Sequence, residues 1–446
     1  MTRDRSVDRA RRYSGAGRDD SVLSADDEHL AKLSRLELAW GVPVGAAAGI
    51  AALAPQPALS GREALERTVR QALSRPPCLV SFSGGRDSSA VLALAVHVAR
   101  RDELPEPIPA SNVFTGLPAA DEHSWQELVI RHLGLDEWIR IELGDELDVL
   151  GPVATFAVTR HGVLAPFNSH FQIPLLQRAV GGSLLTGIGG DEVFEPTERA
   201  VLARLLSRRR APSRRHAGAI LQAMAPRYRR ARRIAHELAP EPLRWLRPGV
   251  HALIAHAAAD WHSREPVSYD AALRAWWWRS RQLQANIAGK RLLASDFDVQ
   301  LVSPFAAPLF LSAYASDRGR LGPPGRTWAL RELVGDLLPA AVIERETWGS
   351  FNGAFWTATA RSAVEQWDGA GADPELVDAD RLREEWSLAS PDWHSFSLAQ
   401  ALLAPSTAAT PSPSGPDDLP GRSDGLPGRI GRSGSDPGSA TPRAWP

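Results

Sequence analysis

The sequence predicts an α/β protein, with a parallel sheet flanked by helices in its first half and a mostly helical second half. Short apolar runs near residues 78–82, 111–115, 138–143 and 183–187 alternate with stretches of three- and four-residue apolar spacing. That alternation is the pattern of parallel strands joined by helices, which cover both faces of the sheet. Two glycine-rich turns each follow one of these runs and each opens a helix, so both fall at carboxyl ends of strands. After about residue 197 the spacing is almost wholly helical.

Taken in order, residues 1–27 are polar and rich in Arg and Asp, a composition expected to be disordered. Residues 28–75 read as a helical lead-in that ends at Pro76-Pro77 and delivers the chain to the first strand, Cys78-Leu79-Val80. Ser81-Phe82-Ser83-Gly84-Gly85-Arg86-Asp87-Ser88-Ser89 follows, and a helix begins at once with Ala90, Val91, Leu92, Ala95 and Val98 on its apolar positions. A glycine pair between strand and helix lets the backbone approach a ligand, while free N–H groups and the helix dipole face an anion. Ser83, Ser88 and Ser89 add hydroxyl donors, and Asp87 adds a carboxylate able to hold a divalent cation beside phosphate. The loop therefore reads as a pyrophosphate cradle. It is not the nucleotide loop ending in Gly-Lys-Ser/Thr, since no lysine follows the glycines. The second turn, Leu184-Leu185-Thr186-Gly187-Ile188-Gly189-Gly190-Asp191-Glu192-Val193-Phe194, repeats the form: apolar strand, glycine-rich turn, acidic pair, apolar helix start.

The first loop resembles the S-G-G-x-D-S loop of the PP-loop ATP pyrophosphatases. The pair of loops in this order resembles the asparagine synthetase family, specifically its C-terminal synthetase domain. Weaker matches lie around them. Asn112-Val113-Phe114-Thr115 resembles the family's second strand, followed by Asp121-Glu122 and Trp125 at a helix start. Trp138-Ile139-Arg140-Ile141-Glu142-Leu143 resembles its third strand, Leu301-Val302-Ser303-Pro304-Phe305 its Pro-Phe segment, and Leu338-Pro339 with Val342-Ile343-Glu344-Arg345 its "leucine-proline, then arginine" segment. The resemblance covers roughly residues 76 to 360. It implies a PP-loop (adenine nucleotide α-hydrolase-like) fold over 76–404, with a core at 76–197 and a helical part at 198–404. It also implies ATP and Mg2+ as cofactors, and an AMP-forming ligase that joins a carboxylate to ammonia or an amine.

The residue roles implied by that resemblance are as follows. Ser83, Gly84, Gly85, Ser88 and Ser89 would hold pyrophosphate, and Asp87 and Asp191 would bind the metal that neutralises the phosphates. Thr186 and Gly187 would lie near the ribose and Phe114 near the adenine, with Gly189 and Gly190 completing the second turn. Glu192 and Arg345 join Asp87 and Asp191 as catalytic candidates. Arg86, at the loop's variable position, either reaches a phosphate or points to solvent.

Three departures bear on the chemistry. The family's glutamine-using members begin with a catalytic cysteine on an amidotransferase domain. Here about 75 residues precede the loop and the one cysteine, Cys78, lies in a strand, so the expected ammonia or amine comes from elsewhere, a partner protein included. A lysine late in the chain is expected after the arginine, yet Arg345-Glu346-Thr347-Trp348-Gly349 has none; Lys32 and Lys290 are the only lysines against 49 arginines. Finally, Ile188 stands where β-lactam-forming members have tyrosine and asparagine-forming members glutamate, and it cannot move a proton. The alternative bases in reach of sequence reasoning are Glu192, His161, His170 and Glu195. Arg-x-Thr-x-Gly at 345–349 also resembles the tail motif of lasso-peptide macrolactam cyclases, which extends the substrate class to a peptide carboxylate. The runner-up reading is a catalytically impaired, nucleotide-binding or regulatory relative.

The remaining features set bounds. A formal charge of −1 gives no global reason for nucleic acid or membrane. Residues 199–233 hold many arginines, read as a solvated helical face in preference to a docking site for a phosphate-rich or acidic partner; they raise a tRNA-modifying alternative, which the lack of a cysteine pair for sulfur transfer opposes. A single cysteine cannot make an intramolecular disulfide. Leu38 to Pro55 carries no charge but is rich in Ala and Gly and contains Pro43, which argues against a membrane span. The charged first thirty-odd residues have no secretory pattern, so the expectation is a cytoplasmic protein. Trp276-Trp277-Trp278 is expected to open a helix, with some of the indoles in the core. Residues 405–446, rich in Pro, Gly and Ser, are expected to be a disordered tail.

Overall fold

Five parallel strands in the order β3-β2-β1-β4-β5 form the sheet: β1 (Cys78–Ser81), β2 (Ile108–Phe114), β3 (Ile139–Leu143), β4 (Ser183–Leu185) and β5 (Gln300–Val302). This computed structural model describes residues 25–194, 225–238, 243–347 and 349–404. Residues 1–24, the tail 405–446, Glu195, Trp348 and the arginines at 208–210 and 214–215 lie outside the described residues.

Side-chain alternation divides the sheet's apolar residues between two cores. Cys78, Val80 and Leu185 face one, while Leu79, Ala110, Ile141 and Leu184 face the other. A parallel sheet buried on both faces needs this continuous apolar content, and it gets helices on each side to cover it. One cover is the helix Gly61–Leu73, started by a capping box in which the Ser60 hydroxyl accepts from the Glu63 N–H and Glu63 accepts from the Ser60 N–H. Its Ala64, Leu65, Val69, Ala72 and Leu73 are buried. Among the described residues, no helix is long and apolar enough to cross a membrane.

The strand order reverses direction between β1 and β4, so the topological switch point lies between them. In open α/β sheets the crevice at that point is where ligands bind. Both glycine-rich turns leave the sheet there, one after β1 and one after β4.

The structure corrects the expected layout in two places, the lead-in and the tryptophan triplet. The lead-in is interrupted: helices span Ala25–Ala31, Arg35–Trp40 and Gly61–Leu73, and residues between Gly41 and Ser60 are not helical. The second half is mostly helical, as expected, and adds β5, a three-residue edge strand paired with β4. The three tryptophans do not open a helix; Trp276 and Trp277 close a π-helical segment, Ala272–Trp277, and the next helix starts at Arg281 behind the N-cap Ser280. In the arginine-rich stretch, the helix Arg227–Leu238 packs along the helix Pro248–Ser263, with Arg227 paired to Asp260.

Candidate active site

The first loop is built from the glycines upward. Gly84 has φ +82°, a conformation that favours glycine, and a Cβ there would meet the Gln126 side chain at 2.8 Å. Gly85 is the N-cap of the helix Arg86–Arg101 and offers no side-chain cap, so the first-turn N–H groups stay available to an anion. Around them the Ser83 and Ser88 hydroxyls lie 3.1 Å apart, and the Ser83 hydroxyl accepts from the Gly85 N–H at 3.3 Å. The loop is thus held in a cup shape by its own serines.

The second turn closes on the first. A Cβ on Gly190 would meet Asp87 Oδ2 at 2.1 Å, and one on Gly187 would meet the Ser88 nitrogen at 2.9 Å. Only glycine permits this approach of backbone to carboxylate. Asp87 and Asp191, 104 positions apart in sequence, both line one cavity of about 450 Å3 and both pair with Arg326. Arg326 donates to Asp87 Oδ2 at 2.6 Å, and its other terminal nitrogen contacts Asp191.

Burial pushes the Asp87 carboxyl up to about 6, against the pull of the Arg326 guanidinium; the nearby Asp191 charge adds to the rise. Its Oδ1 is buried without a hydrogen-bond partner. That orphaned oxygen, the glycine-only cradle and the pairing of two carboxylates fit a divalent cation with nucleotide phosphates. Among the described residues no three His, Cys, Asp or Glu side chains form a cation site by themselves. A cation here would therefore share Asp87 and Asp191 with phosphate oxygens and waters, the usual arrangement for Mg2+.

The cavity wall sorts the residues expected from sequence. Ser83, Gly85, Asp87, Ser88, Thr186, Gly187 and Asp191 line it. Gly84 and Gly190 shape it from behind through the close approaches above, and Gly189, at φ +97°, lines a neighbouring cavity instead. Ser89 is fully buried and its hydroxyl has no partner, so it does not reach the cup. Phe114 stands one layer back, its ring centroid 6.0 Å from Phe171 and 5.7 Å from Phe351, and those two rings form the wall. Arg345 is buried behind the loop and donates to the Gly84 carbonyl at 3.0 Å, which makes it a brace for the loop. Arg86 donates weakly to Thr327 at 3.4 Å and lines the cavity.

Sequence reasoning missed Arg326, Asn112 and Gln172. Asn112 Oδ1 and Gln172 Oε1 are buried without partners on the cavity wall, the kind of unsatisfied acceptor a base amino group would pair with. Asn112 stands two residues before Phe114 and Gln172 two after His170, and nothing local distinguished their side chains from those two.

Two of the alternative bases are already engaged. His170 is buried with both ring nitrogens on backbone carbonyls, Phe167 at 3.2 Å and Leu147 at 3.0 Å, and burial holds its pKa below the usual imidazole value. His161 pairs with Asp296 at 2.8 Å, beside Arg160. Glu192 is different: burial of its surroundings raises its pKa, while its carboxylate is open to the neighbouring cavity.

Behind Glu192 sits Lys290, the one lysine in the region, 7% exposed and hydrogen-bonded to Asn286 Oδ1 at 2.7 Å. Burial depresses it to about 8, and the Glu192 charge opposes that depression. A lysine whose folded pKa is depressed adds stability above its unfolded pKa, and loses it as pH falls through the folded value. At pH 7 the protonated amine therefore costs about 3 kcal/mol relative to water. Lys290→Met is expected to raise the urea midpoint at pH 7, with the gain fading as pH climbs from 8 past 10. Equal gains at pH 7 and pH 10.5 would show that Lys290 is not held against burial.

A reversed strand order with glycine cups after both central strands defines an α/β nucleotide-binding domain of the ATP pyrophosphatase type. The family model for asparagine synthase matches residues 60–404, more than three quarters of the chain, and the chain belongs to that family as a synthetase domain of the ATP-dependent ligase type. The match includes the helix Gly61–Leu73, which the sequence alone assigned to the lead-in. Among curated proteins none matches the chain.

Proposed function

We propose that this chain adenylates a carboxylate with ATP, releasing pyrophosphate, and passes the acyl group to ammonia or an amine with release of AMP. The observation that carries this reading is the meeting of Asp87 and Asp191 on one cavity at the switch point, with Arg326 between them. In this reading Ser83, Ser88 and the backbone N–H groups of Gly84 and Gly85 hold the pyrophosphate, and Arg326 adds a fixed positive charge. Mg2+, when bound, supplies charge neutralisation and alignment of the phosphates. Thr186, whose hydroxyl lies 2.8 Å from that of Ser303, and Gly187 border the ribose; Phe171 and Phe351 take the adenine side expected of Phe114. Most of the rate comes from positioning and preorganised charge. Domain limits of 76–404, a cytoplasmic location and an amine delivered by a partner protein belong to the same proposal.

The test is Mg2+-dependent ATP–pyrophosphate exchange across a panel of carboxylic acids that includes peptide side-chain carboxylates. Exchange with at least one acid supports the reading; no exchange and no ATP binding overturns it. Ile188 and the lysine-free Arg345–Gly349 segment favour a second reading, a nucleotide-binding relative without acyl transfer. Tight ATP binding with no turnover in the presence of every acid would select it.

A further inference from the structure

A second cavity, of about 490 Å3, shares Ile188 and Asp191 with the nucleotide cavity and lies on the far side of the second glycine turn. Trp40, Trp261, Trp276, Trp277 and Tyr269 supply its aromatic surface and Glu192 its acidic end, Asp191 at the border being paired with Arg326. Among the described residues no arginine or lysine lines it. The other titratable lining groups among the described residues are the Tyr269 phenol and His262, which meets the Trp276 ring edge-on with centroids 5.8 Å apart. Indole faces attract cations, and carboxylates attract them more. The lining is therefore complementary to a positive charge carried on a flat apolar body.

The backbone is bent to make this wall. Ala272–Trp277 is a π-helix in which the Trp278 N–H reaches back five residues to the Leu273 carbonyl at 3.2 Å. π-Helical turns are rare and recur at functional sites, because the extra residue re-aims the side chains that follow. Here Trp276 stacks on Trp261 with centroids 5.6 Å apart and planes 17° from parallel, and its indole N–H donates to the Trp261 carbonyl at 3.2 Å. Opposite, the non-helical Val42–Gly45 segment is pinned by the Arg281 N–H to the Gly45 carbonyl at 2.8 Å and by the Ala47 N–H to the Arg279 carbonyl at 2.8 Å. Chamber and cradle meet at Ile188, an apolar partition with no proton to exchange.

We infer that this chamber binds the acceptor substrate, a primary amine carried as its ammonium ion on an aromatic body, with the ammonium at Glu192 and the ring among the indoles. The inference rests on the ligase reading for the amine's role. In that role the ammonium gives up a proton to water, and the freed nitrogen lone pair bonds to the acyl carbon. The bond from that carbon to the adenylate oxygen breaks, AMP leaves with the electron pair, and the nitrogen sheds its second proton to water.

The probe is 2-phenylethylamine, titrated calorimetrically into the full chain and compared with 2-phenylethanol, which lacks the charge, and butylamine, which lacks the ring. Both comparison compounds are expected to bind at least about tenfold more weakly, the scale of one lost cation–π or charged contact. Trp276→Ala and Glu192→Gln are each expected to weaken 2-phenylethylamine by a similar factor, and Trp276→Phe to restore most of the affinity. ATP binding is measured in every preparation, to check folding and to separate the two readings. Equal affinity for amine and alcohol, unchanged affinity in Trp276→Ala, or no amine binding by a chain that binds ATP would each overturn the inference and leave the ligase reading standing. A chain that binds the amine but neither binds ATP nor exchanges pyrophosphate removes the ligase reading, and the acceptor role with it.

Discussion

Replacing Asp87 by asparagine is expected to lower ATP–pyrophosphate exchange at least about 100-fold while leaving the protein as stable as before or more so. The two effects have one cause. Asp87 is 9% exposed, one of its oxygens has no partner, and burial raises its pKa to about 6. A carboxyl whose folded pKa lies above its unfolded value near 3.9 contributes stability below that value and loses it as pH rises through about 6. At pH 8 the ionised group therefore costs about 2–3 kcal/mol, a cost that asparagine does not carry. Arg326 keeps Asp191 as its partner, so the substitution does not strand a buried cation. The gain in urea midpoint should shrink steadily between pH 7 and pH 5. This opposition of stability and activity marks a carboxylate kept for chemistry. A variant that loses stability at pH 8 in proportion to its loss of exchange would make Asp87 a structural residue and undo the metal assignment.

The parts legible in the sequence are those whose signal is local. Both cups can be read because strand, glycines, carboxylate and helix start follow one another within about a dozen residues, Ser81–Leu92 and Leu184–Phe194. Strand β5 was not legible: Gln300–Val302 is three residues long, and pairing with β4 makes it a strand where its own composition does not. The π-helix at Ala272–Trp277 has no composition cue either; it exists because Trp276 stacks on Trp261 and Tyr269 donates to the Val193 carbonyl at 2.7 Å, contacts made across the fold. Arg326 was one arginine among 49, and only the fold sets it against two aspartates. Phe114 is the reverse case. It is an aromatic at the right strand end, but Phe171 and Phe351, brought from distant segments, cover it.

Arg345 carries the second large effect, and on stability. Its guanidinium pairs with Glu122, both side chains nearly inaccessible at 4% and 6% exposure. It also donates to the Gly84 carbonyl at 3.0 Å and to the Thr347 hydroxyl at 3.1 Å, and lies 4.8 Å over the Trp125 ring. One cation thus ties the first cup to the start of the helix His123–Leu133 and to the segment that follows it in sequence. Gly349 must be small for this packing, since a Cβ there would meet Glu122 Oε1 at 2.8 Å. Removing one member of a buried pair leaves the other charge uncompensated, at a cost of about 3–5 kcal/mol. Arg345→Met is therefore expected to lose about that much in urea titrations at pH 7.5. The double variant Glu122→Gln, Arg345→Met should recover a large part of the loss, because no charge is then stranded. ATP affinity should fall in the single variant through the freed Gly84 carbonyl, as a loss of binding rather than of the chemical step. If Arg345→Met keeps full stability and loses only turnover, the guanidinium acts on substrate directly, and the brace described here is the wrong account of it.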